Sequence, residues 1–167
     1  MFRVCRGAAA LAASCLLLAA SAGAAEPGQP SPPIDLPGLA GPVSLAKLQG
    51  KVVYVDFWAS WCAPCKQSFP WLNDLQARYA AKGLQVVGVN VDARGEDARR
   101  FLAETPAKFQ VGFDASGATA ARFQVKGMPS SVLVGADGRV ILVHAGFRAE
   151  DEAALEAAIV TALGAVK

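Results

Sequence analysis

Apolar residues along this chain fall into two patterns, unbroken runs of strand length and stripes at three- and four-residue steps. The run Val52-Val53-Tyr54-Val55-Asp56-Phe57-Trp58 predicts a strand whose core is 54–58, and the near-continuous apolar stretch over 84–91 predicts a second, buried on both faces. Between them Phe69, Leu72, Leu75 and Tyr79 recur at helical spacing, so a helix is expected over 63–81, with Pro70 inside it as a kink. Further on, 95–104 reads as helix, 109–113 as strand and 118–123 as a short helix. Segments 131–134 and 139–144 flank Gly135-Ala136-Asp137-Gly138, a hairpin signal built on Asp-Gly. An amphipathic helix over 150–163 follows, with Asp151 and Glu152 near its start. Upstream, 42–50 carries Ser44 ahead of Leu45-Ala46-Lys47-Leu48 and ends at Gly50, a short turn or helical piece feeding the first strand. There are no internal repeats. Strand, helix, strand and helix followed by a hairpin and a helix imply an α/β class with a central mixed sheet flanked by helices.

The N-terminal pattern is different. Arg3 and Arg6 precede an uncharged Ala/Leu-rich core, and small residues at Ala22-Gly23-Ala24-Ala25 offer a cleavage site before Glu26-Pro27-Gly28. Residues 1–25 are therefore expected to be an export signal directing the protein to the periplasm, the alternative being a retained anchor just long enough to span a bilayer. Residues 26–33 are Pro-rich and read as a flexible or extended linker, and 34–167 as one domain. Formal charge is +2, and without Arg3 and Arg6 the remaining 14 Lys+Arg balance 14 Asp+Glu. No dense basic run occurs, so nucleic acid is not an expected partner.

Candidate chemistry lies where the first strand meets the first helix, at Trp61-Cys62-Ala63-Pro64-Cys65. Thiols two residues apart at a helix start lie within one turn and can form a small disulfide reversibly. The first also meets the unpaired amides and positive dipole end of the helix, which favour its thiolate. Of four cysteines, Cys5 and Cys15 belong to the signal segment, leaving the pair without other disulfide partners in the domain. Zinc normally takes four ligands, and only His144 remains as a further soft donor. The pattern thus points to thiol–disulfide exchange with no cofactor and no metal: Cys62 attacks and Cys65 resolves. Ala63-Pro64 supplies no side-chain donor to the Cys62 thiolate, which favours a reductant over a strong oxidant. Asp56 interrupts an otherwise apolar strand. Burial would raise its pKa toward neutrality and fit it to take the Cys65 proton.

Together these residues resemble the thioredoxin fold, and within it the exported TlpA/ResA-like thiol–disulfide oxidoreductases. The matching residues are Val55-Asp56-Phe57-Trp58-Ala59-Ser60-Trp61-Cys62-Ala63-Pro64-Cys65-Lys66, Phe69-Pro70, Val86-Val87-Gly88-Val89-Asn90-Val91-Asp92 and Gly127-Met128-Pro129-Ser130. The resemblance implies a cis bond before Pro129, which local sequence alone does not. It also implies that Met128 and Pro129 face the cysteine pair and contact substrate. Trp61 is expected to shield the sulfurs and present an apolar docking surface, with Trp58 and Trp71 in the core. One departure stands out: where ResA-like proteins have a glutamate three residues beyond the second cysteine, this chain has Ser68, a poorer match to the cytochrome-maturation specialists.

The expected activity is reduction of protein disulfides, with thiol- or disulfide-bearing protein clients, a membrane electron donor of the DsbD type and a monomeric domain. Oxidase or isomerase activity on the same scaffold is the alternative. A peroxidase would need its cysteine in a Pro/Thr-containing loop, and a copper-handling relative would space its cysteines by three. Neither setting is present.

Overall fold

The computed structural model describes residues 25–166, so the signal expected over 1–25, with Cys5 and Cys15, lies outside the described residues except for Ala25. Two short strands, β1 (Asp35–Leu36) and β2 (Val43–Ser44), come first, and the later elements follow the predicted order: β3 (Val52–Trp58), α1 (Ala63–Tyr79), β4 (Leu84–Asn90), α2 (Gly95–Glu104), β5 (Gln110–Phe113), α3 (Ala118–Arg122), β6 (Ser130–Val134), β7 (Val140–Ala145) and α4 (Glu152–Gly164). Five strands form one sheet in the order β5-β4-β3-β6-β7. β3, β4 and β5 run parallel, while β6 and β7 are antiparallel additions beyond β3. The expected mixed sheet flanked by helices is therefore present. Among the described residues no helix is long and apolar enough to cross a membrane.

All seven residues of β3 are buried, which follows from its central position between β4 and β6. Its side chains alternate between two cores, as the two-residue period of a strand requires. Val53, Val55 and Phe57 pack with Val87, Val89, Ala120, Phe123 and Val132 on one face. Val52, Tyr54 and Trp58 pack with Cys65, Phe69, Leu72, Leu155 and Ile159 on the other, beneath α1 and α4. Aromatic contacts pin α1 there: Trp58 meets Phe69 at 5.0 Å between ring centroids, and Tyr54 meets Trp71 at 5.7 Å. α1 runs through Pro70 without ending. Gly83, with φ of 99°, makes the left-handed turn that reverses the chain into β4.

Two features exceed the sequence pattern. The short β1–β2 hairpin was not signalled by any apolar run of useful length. The Pro-rich segment is docked, not free: it opens on a turn in which Gln29 N–H donates to Glu26 O at 3.0 Å, Gly28 N–H donates to Val140 O at 2.8 Å and Val140 N–H donates to Gln29 O at 2.9 Å.

Gly88 shows how closely β4 approaches the aromatic core. A Cβ there would stand 2.9 Å from Phe109 Cε2 and 3.1 Å from Trp58 Nε1. Gly88→Ala is expected to destabilise the domain by about 1–3 kcal/mol through overpacking. Chaotrope unfolding checks this, and an unchanged midpoint would show that the aromatic cluster yields freely.

Candidate redox site

The site forms where β3 runs out. Val91 N–H donates to Trp58 O at 3.0 Å, the last link holding this end of β3 to its neighbour. The chain then turns through Ala59, Ser60 and Trp61, closed by a bond from Cys62 N–H to Ala59 O at 3.1 Å. Cys62 is the N-cap of α1, and its Sγ accepts from Cys65 N–H at 3.2 Å. A sulfur thereby occupies the place of a capping oxygen, sharing with Cys62 O, at 3.1 Å, an amide of the helix start. Pro64 falls in the first turn, where its missing N–H costs no helical hydrogen bond.

Cys62 and Cys65 are joined in a disulfide, with Cα atoms 5.3 Å apart. Both are buried, Cys62 at 4% exposure and Cys65 at 0%. Their surroundings differ in kind. Cys62 lines a groove of about 350 Å³ together with Ser60, Trp61, Ala63, Lys66, Asp97 and other α2 residues, whereas Cys65 is enclosed in the core beneath α1. Trp61 stands 71% exposed at the rim of this groove. Lys66 is paired with Glu104 at 3.5 Å on the exposed helix surface. Ser68, three residues beyond Cys65, is buried and donates to Cys65 O at 3.1 Å.

Asp56 lies between Tyr54 and Trp58 on the face of β3 that α1 covers, the face to which Cys65 belongs. It is 3% exposed, and its Oδ2 has no hydrogen-bond partner. Burial alone pushes its pKa well above the usual carboxylate range. Nearby, the Tyr54 hydroxyl donates to Ser131 Oγ at 2.8 Å, and burial followed by the Asp56 carboxyl pushes the phenol's ionisation upward.

The Met128–Pro129 peptide bond is cis. Phe57 pairs with Ser130, so this bond lies just before β6, alongside the end of β3 from which the cysteine loop departs. The loop is braced by Ser130 Oγ–H donating to Gly127 O at 2.7 Å. Met128 is half-buried and packs against both cores. Among the described residues, neither main-chain group of Met128 takes an internal hydrogen bond. Trp58 and Trp71 are both in the core. His144 lies in β7, with Nε2 3.3 Å from Asp151 Oδ2 but off line for a hydrogen bond.

The structure thus brings together at one end of the sheet the disulfide, the exposed Trp61, a buried unpaired carboxyl and a loop with free main-chain groups. The sequence profile of the Redoxin family matches residues 26–159, most of the chain. The chain belongs to the Redoxin family. This Redoxin-family protein is 31% identical over 117 residues to the thiol-disulfide oxidoreductase ResA of Bacillus thuringiensis subsp. konkukian, covering 70% of this chain and 68% of ResA. A Chlorobium tepidum protein named as the thiol:disulfide interchange protein DsbE shares 54% identity and superposes with a TM-score of 0.82, over 83% of this chain and 99% of that one. A secreted Mycobacterium tuberculosis disulfide oxidoreductase shares 27% identity at a TM-score of 0.67, over 77% of this chain and 95% of that one. The protein is a thiol–disulfide oxidoreductase of the thioredoxin superfamily.

Ser60 and Asp92 fall within the matching motifs, yet local sequence gives neither a role. Asp92 is buried and holds Ser60 through both of that residue's donors. The available signal was an acid closing the apolar run of β4. Its partner 32 residues upstream is visible only once β3 and β4 are paired.

Proposed function

We propose that this protein reduces disulfides in protein clients outside the cytoplasm, with Cys62 as the attacking thiol and Cys65 as the resolving one. In the reduced enzyme the Cys62 thiolate attacks one sulfur of a client disulfide. A Cys62–client bond forms and the other client sulfur leaves as a thiolate. Cys65 then passes its proton to Asp56 and attacks Cys62 Sγ, releasing the second client thiolate and closing the Cys62–Cys65 disulfide. The client gains two electrons and the enzyme pair loses two. The closed pair in the structure is the state this cycle ends in. An outside dithiol must reopen it, and a membrane donor of the DsbD type has the required chemistry.

The single observation behind the reducing direction is the hydrogen-bonding of Cys62 Sγ. It accepts from the Cys65 backbone N–H, and the intervening Ala63 and Pro64 bring no side-chain donor. In strong oxidants the reduced form is specially stabilised, and here the helix end is left to do that alone. Clients would dock on Trp61 and pair their backbone with Met128 beside cis-Pro129, adding a short strand to a free edge. A monomer suffices for this chemistry. Export to the periplasm agrees with the signal pattern over 1–25 and with the secreted relative.

The equilibrium potential of the pair tests this directly, measured in the full chain against glutathione by peptide-resolved labelling of Cys62 and Cys65. The expected value lies near thioredoxin's, about −270 mV. A value near about −120 mV would instead make the protein a disulfide donor, the oxidase alternative.

A further inference from the structure

Asp92 carries a buried charge that the exchange chemistry above leaves unused. It is 6% exposed, just past the end of β4. Its Oδ2 accepts from Ser60 N–H at 2.9 Å and from Asn90 Nδ2 at 2.7 Å, and its Oδ1 accepts from Ser60 Oγ–H at 2.9 Å. Asn90 is itself held, its Oδ1 accepting from Asp92 N–H at 3.1 Å. Every one of these donors is neutral. Among the described residues no lysine, arginine or histidine stands within ion-pair distance of Asp92. A carboxylate held only by dipoles keeps its net charge, and in a buried setting that charge is poorly screened.

What it holds is the approach to the nucleophile. Ser60 is two residues before Cys62 in the turn closed by the Cys62 N–H to Ala59 O bond. Asp56, the other buried carboxyl of the site, lies on the Cys65 side of β3, where burial favours its uncharged form, and the charges on the outer side of Cys62 weigh less. Lys66, Asp97, Arg100 and Glu104 line the outer groove, but they form surface pairs, Lys66 with Glu104 at 3.5 Å and Arg100 with Asp97 at 3.6 Å. Opposite charges so paired and so near water largely cancel.

We propose that Asp92 is a positioning residue of the exchange site that also sets its redox poise. Through both Ser60 donors it fixes the turn delivering Cys62, and its uncompensated negative charge disfavours the Cys62 thiolate. Destabilising the thiolate destabilises the reduced pair, so the disulfide becomes harder to reduce and the dithiol a stronger reductant. This rests on Cys62 being the attacking thiol, as proposed above.

The test uses the full chain in a Cys65→Ser parent, following the pH midpoint of Cys62 alkylation by iodoacetamide peptide by peptide. Asp92→Asn keeps the size of the side chain and removes its charge. It is expected to lower the midpoint by about one pH unit, the effect of one poorly screened neighbouring charge. Ser60→Ala keeps the charge and removes one donor that offsets it, so its midpoint should rise. With both cysteines restored, and at a pH above the parent midpoint, Asp92→Asn should make the pair about tenfold easier to reduce by glutathione, a rise of about 30 mV. A role in mere loop stability predicts lower melting temperatures with no opposite-sign shifts, and midpoints that stay put or move together would overturn the proposal. If Asp92→Asn does not fold, Ser60→Ala decides alone, a rise supporting the proposal and a fall or no change refuting it. A Cys62 that fails to react in the Cys65→Ser parent would instead remove the attacking role itself, and this inference with it.

Discussion

Cys65→Ser is expected to leave the enzyme covalently bound to its clients, whereas Cys62→Ser is expected to abolish exchange. The first variant still forms the Cys62–client bond but lacks the sulfur that breaks it, so the mixed disulfide persists until an outside thiol intervenes. The second replaces the attacking thiolate by a hydroxyl that does not ionise at working pH. The asymmetry follows from placement: Cys62 borders the groove under Trp61, while Cys65 is fully buried beneath α1. Non-reducing electrophoresis with mass mapping of the linked peptide reads both outcomes. Adducts through Cys65 in the Cys62→Ser protein would reverse the assigned order of attack.

Much of this arrangement is legible in the sequence, because it is written in local pattern. The apolar runs of β3 and β4 and the spacing of Phe69, Leu72 and Leu75 identify a central sheet under a helix. The cysteine pair marks the junction between them. Asp56 announces itself as a charged residue in an otherwise apolar strand. What local pattern does not hold is the consequence of pairing distant segments. Asp92 looks like an ordinary strand-ending acid until β4 lies beside β3 and brings it to Ser60. The cis bond before Pro129 came from family resemblance, since the bond's isomer is decided by what surrounds it. In the Pro-rich segment tertiary pairing decides the outcome: its composition is that of a linker, yet Gly28 and Gln29 hydrogen-bond to Val140. β1 and β2 are two residues each, too short for periodicity to register.

Asp56→Asn should separate the chemical from the structural consequences of burying a carboxyl. In the unfolded chain this group ionises near pH 3.9, and in the fold burial raises that value well above the usual range. Between the two values the folded protein retains a proton that the unfolded chain has released. Stability through this group is therefore complete below about pH 3.9 and falls as pH rises toward the folded value, by at most about 1.4 kcal/mol per pH unit. The asparagine variant has no such titration. Its stability relative to the parent should be flat in acid and climb above about pH 4, which chaotrope unfolding across pH will show. Catalysis should move the other way. Without a proton acceptor on the Cys65 side of β3, decay of the mixed disulfide should slow about a hundredfold near neutral pH, at the low end of what a positioned base contributes. Rapid-quench measurement of that decay decides the matter. An unchanged rate would remove Asp56 from the mechanism even if the stability profile behaves as described. A slowed rate with no change in stability profile would show that the carboxyl acts without the burial penalty its surroundings imply.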